Sequence, residues 1–388
     1  MAYSIHMRLD APPAAETEKI QVLGIPNARF FVDRSTEAIL QEGLLAVDRE
    51  VASVPPAPNS ERPPANFLAL SGGGEKGAFG AGLMVGWSAS GQRPEFKLVT
   101  GVSTGALIAP FAFLGPSRDQ QLRRVFTDIT QKSVFSARWV MAALYNDALA
   151  DTAPLFTLIS EFVNAEMLAD IAREYSRGRL LFIGTTNIDL QRPVLWNIGA
   201  IAASQHPGAL DLVRKILLAS AAIPGAFPPV LIEVEIDGRR YDEMHVDGGA
   251  IAQAFLYPHA LELTREAARR GIVRERNAYV IRNGRFDPDW ATTERAFLSI
   301  MQRTIGTMIH YSGINDAIRI YATAQRDGVQ FHLACMGTDF QFRPHKQFDQ
   351  AYMRALFDYA FQKARNGYPW ETSIAAVFGE RIENGSVV

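Results

Sequence analysis

Six short apolar runs punctuate the chain: Phe67 to Leu70, Phe96 to Val99, Leu180 to Thr185, Val230 to Ile236, Ala278 to Ile281 and Val329 to Ala334. Stretches with helix-like spacing lie between them. A strand that is apolar at successive positions must be covered on both faces. Helices laid on the two sides of a largely parallel sheet meet that demand, so the alternation predicts an α/β architecture. Asp237-Gly238, between Val230 to Ile236 and Arg239 to Val246, has the residues of a tight hairpin turn and predicts one antiparallel excursion. With 48% hydrophobic and 21% charged residues in 388, the chain can bury the core that such a fold requires.

Residues 1–65 read as an N-terminal arm that ends in a Pro-rich linker, with helical apolar spacing over Ser35 to Val51. Residues 66–285 then form the core, and 286–388 a mostly helical extension packed on it. The 39 Lys and Arg nearly balance the 41 Asp and Glu, and no run of five like charges occurs, which argues against a nucleic-acid groove or a polybasic anchor. Cys335 is the only cysteine, so an internal disulfide and a zinc site of several thiolates are excluded. Two uncharged windows, Leu98 to Ser117 and Ile216 to Ile232, are broken by Gly and Pro and are expected in a soluble core rather than a bilayer. Met1 to Pro13 lacks the apolar segment of a signal peptide. Location stays open between the cytoplasm and, if a leader was trimmed, the bacterial envelope or the exterior.

Chemistry concentrates at two glycine-flanked turns. Gly72-Gly73-Gly74-Glu75-Lys76-Gly77 stands between a strand and a helix, where unobstructed amides at a helix start make an anion cradle for a phosphate or a transient oxyanion. The spacing also fits G-x-G-x-x-G, but no acid closes the second strand as a dinucleotide fold requires. Gly101-Val102-Ser103-Thr104-Gly105 likewise follows a strand and precedes an apolar helix, the layout of a nucleophile elbow that pushes a serine outward. A serine needs a base. None of the seven histidines has a zinc-ligand spacing. Val246-Asp247-Gly248-Gly249 ends a strand with an acid and a sharp turn, a place for a projecting carboxylate and equally for a plain turn aspartate.

Together with Ala219-Ser220-Ala221-Ala222-Ile223-Pro224-Gly225-Ala226-Phe227-Pro228-Pro229, these blocks resemble the patatin-like phospholipases and lipid acyl hydrolases, over roughly Phe67 to Leu256. Two departures are small: Asp-Gly-Gly stands where the family often has Asp-Gly-Ala, and Lys76 where it more often has Arg. The resemblance implies a three-layer α/β/α fold with a mainly parallel central sheet. It implies a lipid ester hydrolase, with Ser103 as nucleophile, Asp247 as base and an acyl-serine intermediate. The oxyanion hole would be drawn from Gly72, Gly73, Gly74 and Thr104, with Gly72 fixing the turn. No metal and no organic cofactor is implied.

For substrate contacts, Lys76 is a candidate for phosphate or added positive potential, against a solvated helix-start lysine, and Phe227 for a wall of the acyl pocket, against ordinary core. The apolar cluster Phe135, Trp139, Val140, Met141, Leu144 and Tyr145 is a candidate lid or membrane-docking face. Partners would be a lipid ester and peripherally a membrane, without nucleic acid. Two other readings stand beside this one: an α/β-hydrolase with a Ser103, Asp247, His332 triad, and a non-catalytic lipid- or nucleotide-binding module.

Overall fold

The computed structural model describes residues 8–53, 62–128, 136–137 and 150–375. Its strands are β1 (Arg29–Phe31), β2 (Ala65–Leu70), β3 (Phe96–Val102), the short pair β4 (Ser136–Ala137) and β5 (Ala150–Asp151), β6 (Leu180–Asn187), β7 (Arg192–Asn197), β8 (Val230–Ile236), β9 (Arg239–Asp247), β10 (Arg276–Arg282) and β11 (Gln330–Cys335). The helices are α1 (Thr36–Ser53), α2 (Gly77–Ala89), α3 (Thr104–Leu114), α4 (Asp119–Thr127), α5 (Ala153–Phe162), α6 (Ala165–Ser176), α7 (Ile198–Ala203), α8 (Ala209–Ser220), α9 (Leu263–Arg269), α10 (Phe297–Arg326) and α11 (Gln350–Arg365).

Parallel pairing runs through β6, β3, β2, β10 and β11. On the other edge of β6, β7 adds antiparallel and β1 pairs antiparallel with β7. The β8–β9 hairpin joins through β9, completing a nine-stranded sheet. Its turn is Asp237 (φ 50°) and Gly238 (φ 81°), the doubly left-handed pair that matches strand twist.

Side-chain alternation along the strands makes the layers. Leu181 and Ile183 of β6, with Leu68 and Leu70 of β2, pack on the face covered by α2, α3 and α8. Their neighbours Leu180 and Phe182 point the other way, with Leu98 and Leu195, towards Ile39 and Ala46 of α1. Farther along that second face, Ala69, Ala278, Val280 and Leu333 meet Ile314, Ala317 and Ile320 of α10. Every residue of β6 is buried, as a strand covered on both faces must be. The result is a three-layer α/β/α fold around a mainly parallel sheet. The segment before Ala65 supplies β1 at the sheet edge and α1 over the second face, and β11 beyond residue 286 extends the parallel set. Among the described residues no helix is long and apolar enough to cross a membrane.

Candidate active site

Strand register brings Ser103 and Asp247 together. Val102 at the end of β3 pairs with Gly184, and Asp247 at the end of β9 pairs with Thr185, the next residue along β6. Two strands far apart in sequence therefore meet end to end on one edge of β6, and the residues at their ends become neighbours. Ser103 takes φ 55° and ψ −125°, a conformation that L residues avoid unless the surroundings enforce it. The flanking glycines permit the turn: a Cβ on Gly101 would lie 2.6 Å from the Gly105 carbonyl oxygen, and one on Gly105 would lie 2.3 Å from that of Leu70. From below, the Ser103 amide donates to Ser220 Oγ at 3.0 Å, and Ser220 donates on to the Gly184 carbonyl at 2.7 Å.

The glycine loop is braced from the neighbouring strand end. Asn283, just after β10, donates from its amide to Ser71 Oγ (2.8 Å) and from Nδ2 to the Ser71 carbonyl (2.7 Å), and accepts from the Gly80 amide (2.9 Å). Gly72 lies against the nucleophile candidate, where a Cβ would sit 3.1 Å from Ser103 Cβ. Its amide donates to the Gln253 carbonyl at 3.0 Å, so Gly72 holds the turn and, contrary to its place in the expected oxyanion hole, has no free donor to offer. The amides of Gly73 and Gly74 carry no backbone partner among the described residues. Thr104 opens α3, where a helix leaves its first amides unpaired, and its hydroxyl donates to the Gly74 carbonyl at 2.8 Å, tying elbow to loop.

Asp247 is 4% exposed. It accepts from the Gly249 amide at 2.7 Å and lies beside the Ser103 side chain. Burial outweighs the stabilising influence of Ser103 and Gly249 and pushes its carboxyl up to about 7, the range of a useful base near neutral pH.

A cleft of about 720 Å³ opens over this pair. One wall is the glycine loop with Ile223 and Pro224; the other is the first half of α10. Lys76 lines it and pairs with Asp289 at 3.0 Å. Phe227, expected to wall the acyl site, lies in the hydrophobic core instead. Arg282, a lining residue that the sequence did not flag, is 7% exposed and donates to the Arg285 and His310 carbonyls. Burial pushes its guanidinium down to about 10. The other members missed from sequence are Ser220, Gln253 and Asn283. Ser220 lay inside a recognised block without an assigned role, whereas no local pattern marks Gln253 or Asn283.

The histidines do not join the pair. His332 sits within β11, stacked on Tyr279 with ring centroids 4.7 Å apart and with Nε2 3.3 Å from Asn277 Oδ1. His245 shares its strand face with Asp247, as the alternation predicts, but is fully buried between Thr185 (3.0 Å) and Glu243 (3.2 Å). Burial lowers its pKa, against the pull of the neighbouring Glu243 carboxylate. Glu243 also pairs with Arg29 of β1; burial works against its charge, yet Arg29 and His245 hold its carboxyl down at about 2. The cluster from Phe135 to Tyr145 lies outside the described residues. Among the described residues no group of three or more His, Cys, Asp or Glu is placed to hold a metal ion.

The family model described as patatin-like phospholipase matches residues 68–257. Among solved structures, VipD from Legionella pneumophila aligns at 12% identity and a TM-score of 0.32, over 78% of this chain and 67% of that chain, a likeness too slight to carry an argument. Comparison with curated proteins finds no match. Residues 68–257, which hold both glycine turns and the strand ending in Asp247, match the patatin-like phospholipases, a family of lipid acyl hydrolases.

Proposed function

We propose that the chain hydrolyses carboxylic esters of lipids through a Ser103–Asp247 dyad. The observation that carries this reading is Ser103, held on a strained elbow at the end of β3 beside the buried carboxyl of Asp247, whose pKa burial raises to about 7. In the first step Ser103 Oγ attacks the ester carbonyl carbon while its proton passes to Asp247. The oxygen that gains charge is met by the amides of Gly73, Gly74 and Thr104, donors fixed before the charge forms, each worth about 3 to 4 kcal/mol. Collapse of the tetrahedral intermediate expels the alcohol, which takes the proton from Asp247 and leaves an acyl-serine. Water then attacks with Asp247 again as base, releasing the fatty acid and restoring Ser103.

A peripheral membrane contact fits the same reading. Phe297, Ile300, Met301, Met308 and Tyr311 are exposed at spacings of three, four and seven along α10, the helix that walls the cleft. Such a stripe suits the boundary of headgroups and acyl chains. The cleft is lined by Lys76, Arg282, Arg285 and Arg303 against Asp247, Asp287 and Asp289, with Lys76 paired to Asp289, so its charge is close to balanced.

The test is a panel of phospholipids and neutral glycerolipids with products identified by mass, run beside labelling with a fluorophosphonate. The wild type should release fatty acid and take up the label. Ser103→Ala should lose both with its melting temperature nearly unchanged, and retention of more than about a tenth of the wild-type kcat would overturn the assignment.

A further inference from the structure

A second cavity lies on the face of the sheet covered by α1, well away from the cleft. Its floor is Phe67, Leu98, Leu180, Phe182 and Leu195, its roof α1 and α9, and its volume about 160 Å³. Leu98 lies on β3, five residues before Ser103 at the turn that follows the strand, a separation of about 16 Å. The walls are chiefly aliphatic and aromatic.

Two features set it apart from a packing fault. The first is Gly43, which lines the cavity from inside the 18-residue α1 and whose added Cβ would meet nothing within 4 Å. Glycine weakens a helix interior relative to alanine, and no turn or close contact here calls for one. What the missing side chain leaves is open space.

The second feature is charge. Lys97, Arg274 and Arg276 line one end of the cavity, beneath the first residues of β2, β3 and β10. Glu50 is shared by Lys97 (3.2 Å) and Arg274 (2.9 Å), and Arg276 makes no ion pair among the described residues. The other lining acid, Glu266, is paired with Arg269 at 2.7 Å. Lys97 also pairs with Glu95, outside the cavity, at 3.2 Å, which leaves Arg276 as the lining cation without an ion pair among the described residues. The Arg274 side chain is 6% exposed, and its Nε has no hydrogen-bond partner among the described residues. A buried donor left unpaired is costly unless something occupies it.

We propose that this cavity binds a medium-chain carboxylate, its head on Arg274 and Arg276 and its tail against Phe67, Leu98 and Phe182. The length follows from the volume: a closed apolar cavity of about 150 Å³ holds a six-carbon ring, so the enclosed part suits roughly six carbons of a chain. Acids of this kind are what ester cleavage at Ser103 would release. The assignment does not depend on that chemistry, because the two sites share no residue.

The test titrates octanoate, with octanol as the headless control, into the full-length wild type, Gly43→Leu and Arg276→Gln by calorimetry. Saturable binding of one octanoate is expected in the wild type. Gly43→Leu should weaken it at least tenfold, with an equal or higher melting temperature, because the new side chain fills the cavity and favours the helix. Arg276→Gln, on the half-buried rim, should weaken octanoate at least fivefold and leave octanol unchanged. Labelling of Ser103 by a fluorophosphonate should persist in both variants, which separates this site from the cleft. Equal octanoate affinity in the wild type and Gly43→Leu, equal affinity in the wild type and Arg276→Gln, or no saturable binding to the wild type would overturn the proposal.

Discussion

Asp247→Asn should stabilise the protein while abolishing turnover, and the gain should grow with pH. Asp247 is 4% exposed, and burial lifts its carboxyl from 3.8 to about 7 against the stabilising influence of Ser103 and Gly249. A carboxyl whose folded pKa lies above its unfolded value keeps its proton longer in the native state. Below about pH 4 both states are protonated, and the buried group costs nothing in charge. Between about 4 and 7 the unfolded chain ionises first, so stability falls as pH rises, by up to about 1.4 kcal/mol for each pH step of one. Above about 7 both states are ionised and the cost levels off near 4 kcal/mol. Asparagine carries no charge to bury, and its Oδ1 can still accept from the Gly249 amide, which donates to Asp247 at 2.7 Å. Loss of the favourable interaction between Ser103 and the carboxylate takes back about 1 kcal/mol. The net gain should therefore be close to zero or slightly negative near pH 4 and about 3 kcal/mol near pH 8. Urea unfolding of both proteins across that range measures it, since other titrating groups cancel in the difference. A difference that stays flat with pH, or a wild type that is the more stable near pH 8, would refute the reasoning.

Four further outcomes follow from the same geometry. The kcat/KM of the wild type should fall about tenfold per pH step below about 7, as the base becomes protonated, and hold level above it; a limb that persists in His245→Gln and His332→Ala assigns it to Asp247. Gly73→Ala should lower kcat about 100-fold with KM little changed, because a Cβ there would lie 2.3 Å from the Asn283 carbonyl oxygen and shift an amide proposed to meet the oxyanion; equal losses in kcat and in substrate affinity would count against it. Arg29→Met should cost about 3–5 kcal/mol in denaturant unfolding, since it strands Glu243, which is fully buried beside His245. His332→Ala should leave kcat within about twofold of the wild type, and a loss equal to that of Ser103→Ala would revive the triad.

What could be read from sequence was whatever local chemistry determines. An elbow needs glycines on both sides of its serine, a hairpin turn needs left-handed residues, and a strand covered on both faces must be apolar throughout, so Gly101 to Gly105, Asp237-Gly238 and the run from Leu180 carry their structure visibly. The three residues of β1 and the Arg-Pro start of β7 carry no such pattern, because those strands exist only as antiparallel partners along an edge already built. The first half of α10 escaped for a different reason: its apolar residues face outward beside the cleft, so its pattern was not organised by a core.

His245 and Asp247 show where periodicity stops being sufficient. Both side chains leave the same face of β9, yet Glu243 and Thr185 enclose one, while the other stands where β3 ends and the cleft begins. Alternation assigns a face but not a position along it, and here the reach of the neighbouring strand decides. β3 pairs with β6 only as far as Gly184, so the residue opposite Thr185 is the first on that edge of β6 to meet Ser103 rather than another strand residue. Moving the β9 register by two residues would set His245 or Gly249 opposite Thr185 instead. The proposed dyad therefore depends on the register of three strands as much as on the two residues that compose it.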